Sequence, residues 1–425
     1  MLKKTILICA IVPLCLSATT ITSLLNALEK RPENKLDMLN VQKSSLQSKM
    51  LSDKLMPTVN IFAGYEMYNS PNGMLPVAPN KLIHMIQDQS IGQPFSKQIA
   101  KEGVTFTWPL FVKSIYTLKD KADLLHLASK QKHRLNLLQR QAMVVGLVAQ
   151  LRYLESLQNA LESKKRSILE TSKTTKLMVK EGRLPKSALF VLNSHINDID
   201  IALNSILQNI NIIKSKIETM TNIHLKRSVP LRAKHRIKRK EIFALKSMRS
   251  KLQASKKAIQ AAHEAYMPSV LAKGNYSYSQ ADAYNNDKMV HEEFGMAGIY
   301  LSMPLFDSSK GTAIQMAKID YMKDKMRLIE VKHSLEVKAK ELDKEISLLY
   351  KSLRLAKKSV TEQKKLLKIA KVSLQQERMT QEEYLRYENA LASAKANLYS
   401  IEAKLWEDKA QLAVIYGNNL KEIVR

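Results

Sequence analysis

Histidines, thiols and grouped carboxylates are where metal or nucleophilic chemistry would be sought, and their spacing in this chain supports neither. The nine histidines are scattered. His291-Glu292-Glu293 lacks the second histidine of a zinc-binding helix, and His126 and His133 belong to no ligand set with metal-site spacing. No glycine-rich phosphate loop, dinucleotide fingerprint or nucleophile elbow is present. The sequence therefore offers no catalytic, cofactor or metal site, and an enzyme is not expected. What remains is basic charge: 68 Lys+Arg against 39 Asp+Glu, a formal net charge of +29. The densest run holds Lys226, Arg227, Arg232, Lys234, Arg236, Lys238, Arg239 and Lys240, interrupted by Pro230. Its plain reading is a solvated linker; the sharper one is a patch for periplasmic polyanions or anionic headgroups.

Nucleic acid is the usual partner of so basic a chain, but the first residues remove the opportunity. Lys3 and Lys4 precede an apolar run from Thr5 to Leu16 and then Ser17-Ala18, the order of a secretory signal, so residues 1–18 are expected to be removed. Both cysteines, Cys9 and Cys15, fall inside it. A lipid-anchored start at Cys15 is disfavoured by the bulky Leu14 before it. No later stretch has the ~18 consecutive apolar residues of a spanning helix.

The elements come twice. Leu55-Met56-Pro57-Thr58-Val59 resembles Tyr266-Met267-Pro268-Ser269-Val270, 211 residues on, and Trp108-Pro109-Leu110-Phe111 resembles Met303-Pro304-Leu305-Phe306, 195 residues on. The offset of 195 also maps Lys180–Pro185 onto Gln375–Thr380 and Met220-Thr221-Asn222 onto Ile415-Tyr416-Gly417. Two repeats are expected, 19–225 and 241–425, joined by a basic linker at 226–240. Within each, alternation with period two marks a hairpin of half-apolar strands, 57–109 and 268–304. Val59, Ile61, Ala63, Tyr65 and Met67 share one face; Val270, Ala272, Gly274, Tyr276 and Tyr278 keep that phase in the second copy. Such strands match tilted membrane strands in length, and their aromatics suit an interfacial girdle.

Between hairpins the period becomes helical, with a heptad seam through Leu335, Ala339, Leu342, Ile346, Leu349, Leu353, Ala356 and Val360. Long helices are expected at 113–181 and 308–377, each about 100 Å long. Half-length helices are expected at 187–224 and 382–416, and others before each hairpin, at 21–55 and 235–265. One long helix then lies beside two short ones stacked end to end, twice over. Pro57, Pro109, Pro268 and Pro304 stand at the helix–strand junctions, where one hydrogen-bonding system gives way to another. Four strands cannot close a barrel, and open edges are not tolerated in lipid, so the chain must oligomerise.

In this order of elements, in the Pro-Leu-Phe junctions and in the turns at Gly182-Arg183-Leu184-Pro185 and Arg378-Met379-Thr380, the mature chain resembles the TolC-like outer membrane factors of Gram-negative bacteria. The resemblance implies a mainly α fold with a β-barrel portion: a homotrimer whose twelve-stranded barrel in outer-membrane lipid continues as a periplasmic α-helical coiled-coil barrel. It implies a passive exit duct for tripartite efflux or type I secretion, docked through its helical turns to a periplasmic adaptor (membrane fusion protein) and an inner-membrane transporter. Residues 69–100 and 279–293 would be outward loops. The adaptor-docking turns would use Gly182, Arg183, Leu184, Arg378, Met379 and Thr380. The family narrows its periplasmic entrance with acidic rings, and the match is partial: Glu383 falls at the first acidic position beside Glu382, Arg386 at the second, Ser187 at a polar gate position and Ala188 where an aspartate is usual. Rings of Glu383 and Arg386 would then hold the tip by salt bridges. The rival readings are a secreted coiled-coil structural or adhesive protein, and a periplasmic adaptor, which would not need two helix-flanked alternating hairpins.

Overall fold

The structure, a computed structural model, describes residues 20–425; the leader expected over 1–18 lies outside them. In chain order the elements are α1 (Ile21–Lys30), α2 (Pro32–Asp53), β1 (Thr58–Gly73), α3 (Pro79–Gln87), β2 (Phe95–Val112), α4 (Lys113–Lys180), α5 (Ser187–Thr221), α6 (Lys246–Glu264), β3 (Ser269–Asp282), β4 (Met289–Ser302), α7 (Ser308–Gln375), α8 (Gln381–Tyr416) and α9 (Leu420–Ile423). The described residues form two compact units, one from residues 20–38, 132–245 and 331–425, the other from 39–131 and 246–330.

The first unit is helical. Ile21, Leu24, Leu25 and Leu28 of α1, spaced for one helix face, are all 1% exposed or less, and each such burial contributes roughly 1.5–3 kcal/mol. They share a core with Val144, Val148 and Leu151 of α4 and Ile206, Ile210, Ile213 and Ile217 of α5. A second core joins Ala339, Leu342 and Ile346 of the expected heptad seam to Leu405 and Leu412 of α8. Arg140 reaches Asp37 at 2.7 Å and Lys165 reaches Asp200 at 2.5 Å, so α4 is tied to both α2 and α5. Both long helices have 68 residues. Gly182 and Glu377 are left-handed, as are Asn222 and Gly417, and each pair stands at the sequence offset of 195.

Three helix expectations need correction. The helix expected over 21–55 is broken, because Pro32 has no amide to donate and holds Arg31 extended at ψ 150; the freed Arg31 guanidinium donates to the Thr219 carbonyl at 2.9 Å. The helix expected from His235 starts only with a 3-10 turn at Phe243–Leu245, which leads into α6. Residues 231–240 are instead non-helical, and 232–234 pair with the C-terminal residues: the Arg232 amide donates to the Arg425 carbonyl and the Arg425 amide to the Arg232 carbonyl, both at 2.8 Å, and the Lys234 amide donates to the Ile423 carbonyl at 2.7 Å, before a bend at His235. The basic run is therefore not a loose linker. Helix ends at 180, 221 and 375 fall one to three residues short of expectation, where backbone turns close them.

The second unit holds one antiparallel sheet in the order β1-β2-β3-β4. The loops expected at 69–100 and 279–293 are shorter than that: β1 continues to Gly73, β2 resumes at Phe95, and β3 and β4 leave only residues 283–288 as a turn. A small core of Met74, Ile99 and Ala281, with Tyr68, Leu75 and Val290 against it, supports this extension, and α3 occupies part of the expected first loop. Pro57 and Pro268 directly precede β1 and β3, and Pro304 follows β4. Pro109, however, lies inside β2, where a register shift between Pro109 and Phe111 absorbs the missing amide.

Candidate functional site

The register sorts the sheet's residues onto two faces. Val59 pairs with Phe106, which pairs with Gly274, which pairs with Ala297; the next row on that side is Ile61, Val104, Tyr276 and Gly295. Trp108, Ala272 and Ile299 form the row on the other side of the first. One face thus carries an apolar band across all four strands, ending where Glu102, Tyr278 and Glu293 come into line. Ile61 is 85% exposed, Ile299 73% and Leu301 72%. The opposite face presents Thr58, Asn60, Thr105, Thr107, Lys273 and Asn275, with Phe62, Leu271, Phe294, Met296 and Tyr300 among them. Exposed apolar side chains this continuous mark a surface that meets lipid or another protein.

The outer edges of β1 and β4, 16 and 14 residues long, have no strand partner among the described residues. Where β2 passes the end of α2, the Trp108 indole N–H donates to the Leu55 carbonyl at 3.1 Å, fixing helix to strand. Gly103 lies under the Phe62 ring, and a Cβ there would come within 2.9 Å of that ring and of the β3 backbone at Ser277. The sequence placed Trp108 at the junction but not its bond to Leu55, and it did not single out Gly103, for which a lone glycine between alternating residues was the available signal.

The two turns are built alike. After α4, Gly182 is left-handed and the Arg183 amide donates to the Met178 carbonyl at 2.8 Å; after α7, Glu377 takes the same conformation and the Arg378 amide donates to Ser373 at 2.9 Å. Arg183 also pairs with Glu181 at 3.2 Å. Leu184, Arg378 and Met379 lie in these turns and Ser187 opens α5. Thr380 caps α8: its hydroxyl accepts from the Glu383 amide, while the Glu383 carboxylate accepts from the Thr380 amide at 3.0 Å. That amide first, then the Thr380 hydroxyl, and to a lesser degree Arg386, hold the Glu383 carboxyl below the usual carboxylate range. Within the chain Arg386 pairs not with Glu383 but with Glu382, one turn away at 2.6 Å. The structure therefore brings Glu382, Glu383, Arg386 and Thr380 together, and Ser187 sits at the start of a different helix.

The histidines do other work. His126 Nδ1 is 2.9 Å from the Ser44 hydroxyl, and His291 stacks on Tyr278 with ring centroids 5.8 Å apart. Among the described residues no group of three or more His, Cys, Asp or Glu could hold a metal ion, and no helix is long and apolar enough to cross a membrane, which says nothing of a barrel.

No protein-family model and no curated protein sequence matches the chain. Solved structures do. The outer membrane protein VceC of Vibrio cholerae is 12% identical, with 93% of this chain and 95% of that chain covered and a TM-score of 0.69. The CmeC outer membrane channel of Campylobacter jejuni is 14% identical over 95% of this chain and 85% of that one, with a TM-score of 0.71. For the MtrE outer membrane channel of Neisseria gonorrhoeae, in its open state, the values are 15%, 95%, 90% and 0.68. With its paired 68-residue helices and its four-stranded sheet, the chain has the fold of TolC-like outer membrane channel proteins.

Proposed function

We propose that the chain is one of three identical subunits of an outer-membrane exit duct in a Gram-negative cell. Each subunit contributes two internal repeats and four strands, and three close a twelve-stranded barrel that the helices continue into the periplasm. The observation that carries this reading is the sheet: one apolar face, one largely polar face and two long edges without a strand partner among the described residues are all accommodated when the β4 edge of one subunit pairs with the β1 edge of the next in lipid. Two copies would give eight strands and an interior filled by side chains, whereas three leave a lumen. The neighbours in fold, named as outer membrane channels, support the same reading.

In this reading transport is passive, with an inner-membrane transporter supplying the energy and a periplasmic adaptor meeting the turns at Gly182, Arg183, Leu184, Arg378, Met379 and Thr380. Glu382, Glu383 and Arg386 form the gate at the periplasmic tip with Ser187 nearby, Arg386 bridging acidic groups within and between subunits. The double substitution Glu383→Ala/Arg386→Ala is expected to raise single-channel conductance in planar bilayers. Unchanged conductance with unchanged cation preference would remove the gate from the account, and a wild-type protein that forms no channels would remove the duct itself.

A further inference from the structure

The basic run is a built feature whose geometry points to a ligand. At Ala233 the chain bridges to Val424, at His235 it bends, and of residues 231–240 only Leu231 and Ile237 are not exposed. Leu231 is buried, Ile237 packs against both helical cores, and Arg239 turns to Asp343 at 2.5 Å. Arg232, Lys234, Arg236, Lys238 and Lys240 are exposed, and none forms an ion pair among the described residues. The backbone that carries them is pinned, at Arg232 and Lys234 by the C-terminal residues and at Lys238 by Asn418, whose side chain bonds both its amide and its carbonyl at 3.0 Å. The last four of these cations line one open cavity of about 680 Å³ together with Arg134, and Glu422 is the carboxylate in its wall.

We propose that this row binds an extended acidic peptide segment of a partner protein. Five unpaired cations within nine residues, on a backbone held from both ends, present a concentrated positive surface that a run of Asp and Glu complements, and a peptide can follow the bend at His235. A lipid surface fits less well, because the apolar residues of the run turn inward and leave no anchor among the cations. The fixed backbone lowers the ordering cost of binding.

The test uses the full chain in detergent and a fluorescent ten-residue peptide with Glu alternating with Ser, read by anisotropy. Binding is expected at low salt and loss of it at about 0.5 M salt, where screening reaches a few Å. Lys234→Gln/Arg236→Gln should weaken it at least about tenfold, and Lys226→Gln/Arg227→Gln, which removes the same charge outside the row, less than about twofold. Lys234→Arg/Arg236→Lys should restore it. Equal loss in the two neutralised pairs, or no binding by the wild type, would overturn the proposal. None of these outcomes depends on whether the chain forms a channel.

Discussion

Glu383 illustrates how one side chain can be bound to helix ends before it is free for anything else. Because its carboxyl is held below the usual range, its capping contribution is complete above the ordinary value of about 4.3 and is lost as pH falls through the folded value. Hydrogen-exchange protection of the first turn of α8 is therefore expected to drop on acidification below about pH 4, and Glu383→Ala should abolish that dependence; a flat wild-type profile would contradict the cap. Gly103 gives a second test. Its substitution by Val forces a side chain onto the Phe62 ring and the β3 backbone, so Gly103→Val should cost about 1–3 kcal/mol in urea unfolding, while Gly64→Ala, with nothing within 4 Å, should stay within about 0.5 kcal/mol. At this scale the sequence was partly readable. Thr380-x-x-Glu383 is a legible capping box that assigns Glu383 to Thr380 and leaves Arg386 to Glu382, yet the charges alone suggested Glu383 as the partner of Arg386.

The strands and long helices were legible because their apolar residues recur with a clean period, two in β1 to β4 and heptad-like in α7. The same parity makes a sharp prediction: Ile61→Lys, on the apolar face, should sharply reduce recovery of membrane-inserted protein, by the equivalent of about 2–4 kcal/mol, whereas Asn60→Lys, its neighbour on the polar face, should leave recovery near wild type. Equal recovery of the two would mean that the apolar face does not meet lipid. What was not legible is long-range. Nothing local in Arg232–Lys240 announces that it will pair with the C-terminal residues rather than coil into a helix, and nothing in Pro79–Gln87 separates a short loop helix from loop. The C-terminal α9 belongs to the same class: Leu420 is fully buried, and Leu420→Ala should cost about 2–5 kcal/mol in thermal or urea unfolding.

For the whole molecule, the four-stranded sheet sets the terms. A single chain leaves the outer edges of β1 and β4 without a strand partner among the described residues and an apolar face exposed; in the proposed trimer each β4 edge pairs with the next subunit's β1 edge, and lipid covers the apolar face. The order of elements along the sequence carried this conclusion further than any single motif, because each junction proline, turn and stripe is weak alone and constrains the rest only through the constant offset. The most direct test is imaging of the detergent-purified full-length particle with its mass measured in parallel. The account predicts three chains around a hollow axis, with twelve strands continuous around the wall. A particle of one or two chains, or a trimer whose sheets lie apart on a solid helical body, would contradict it.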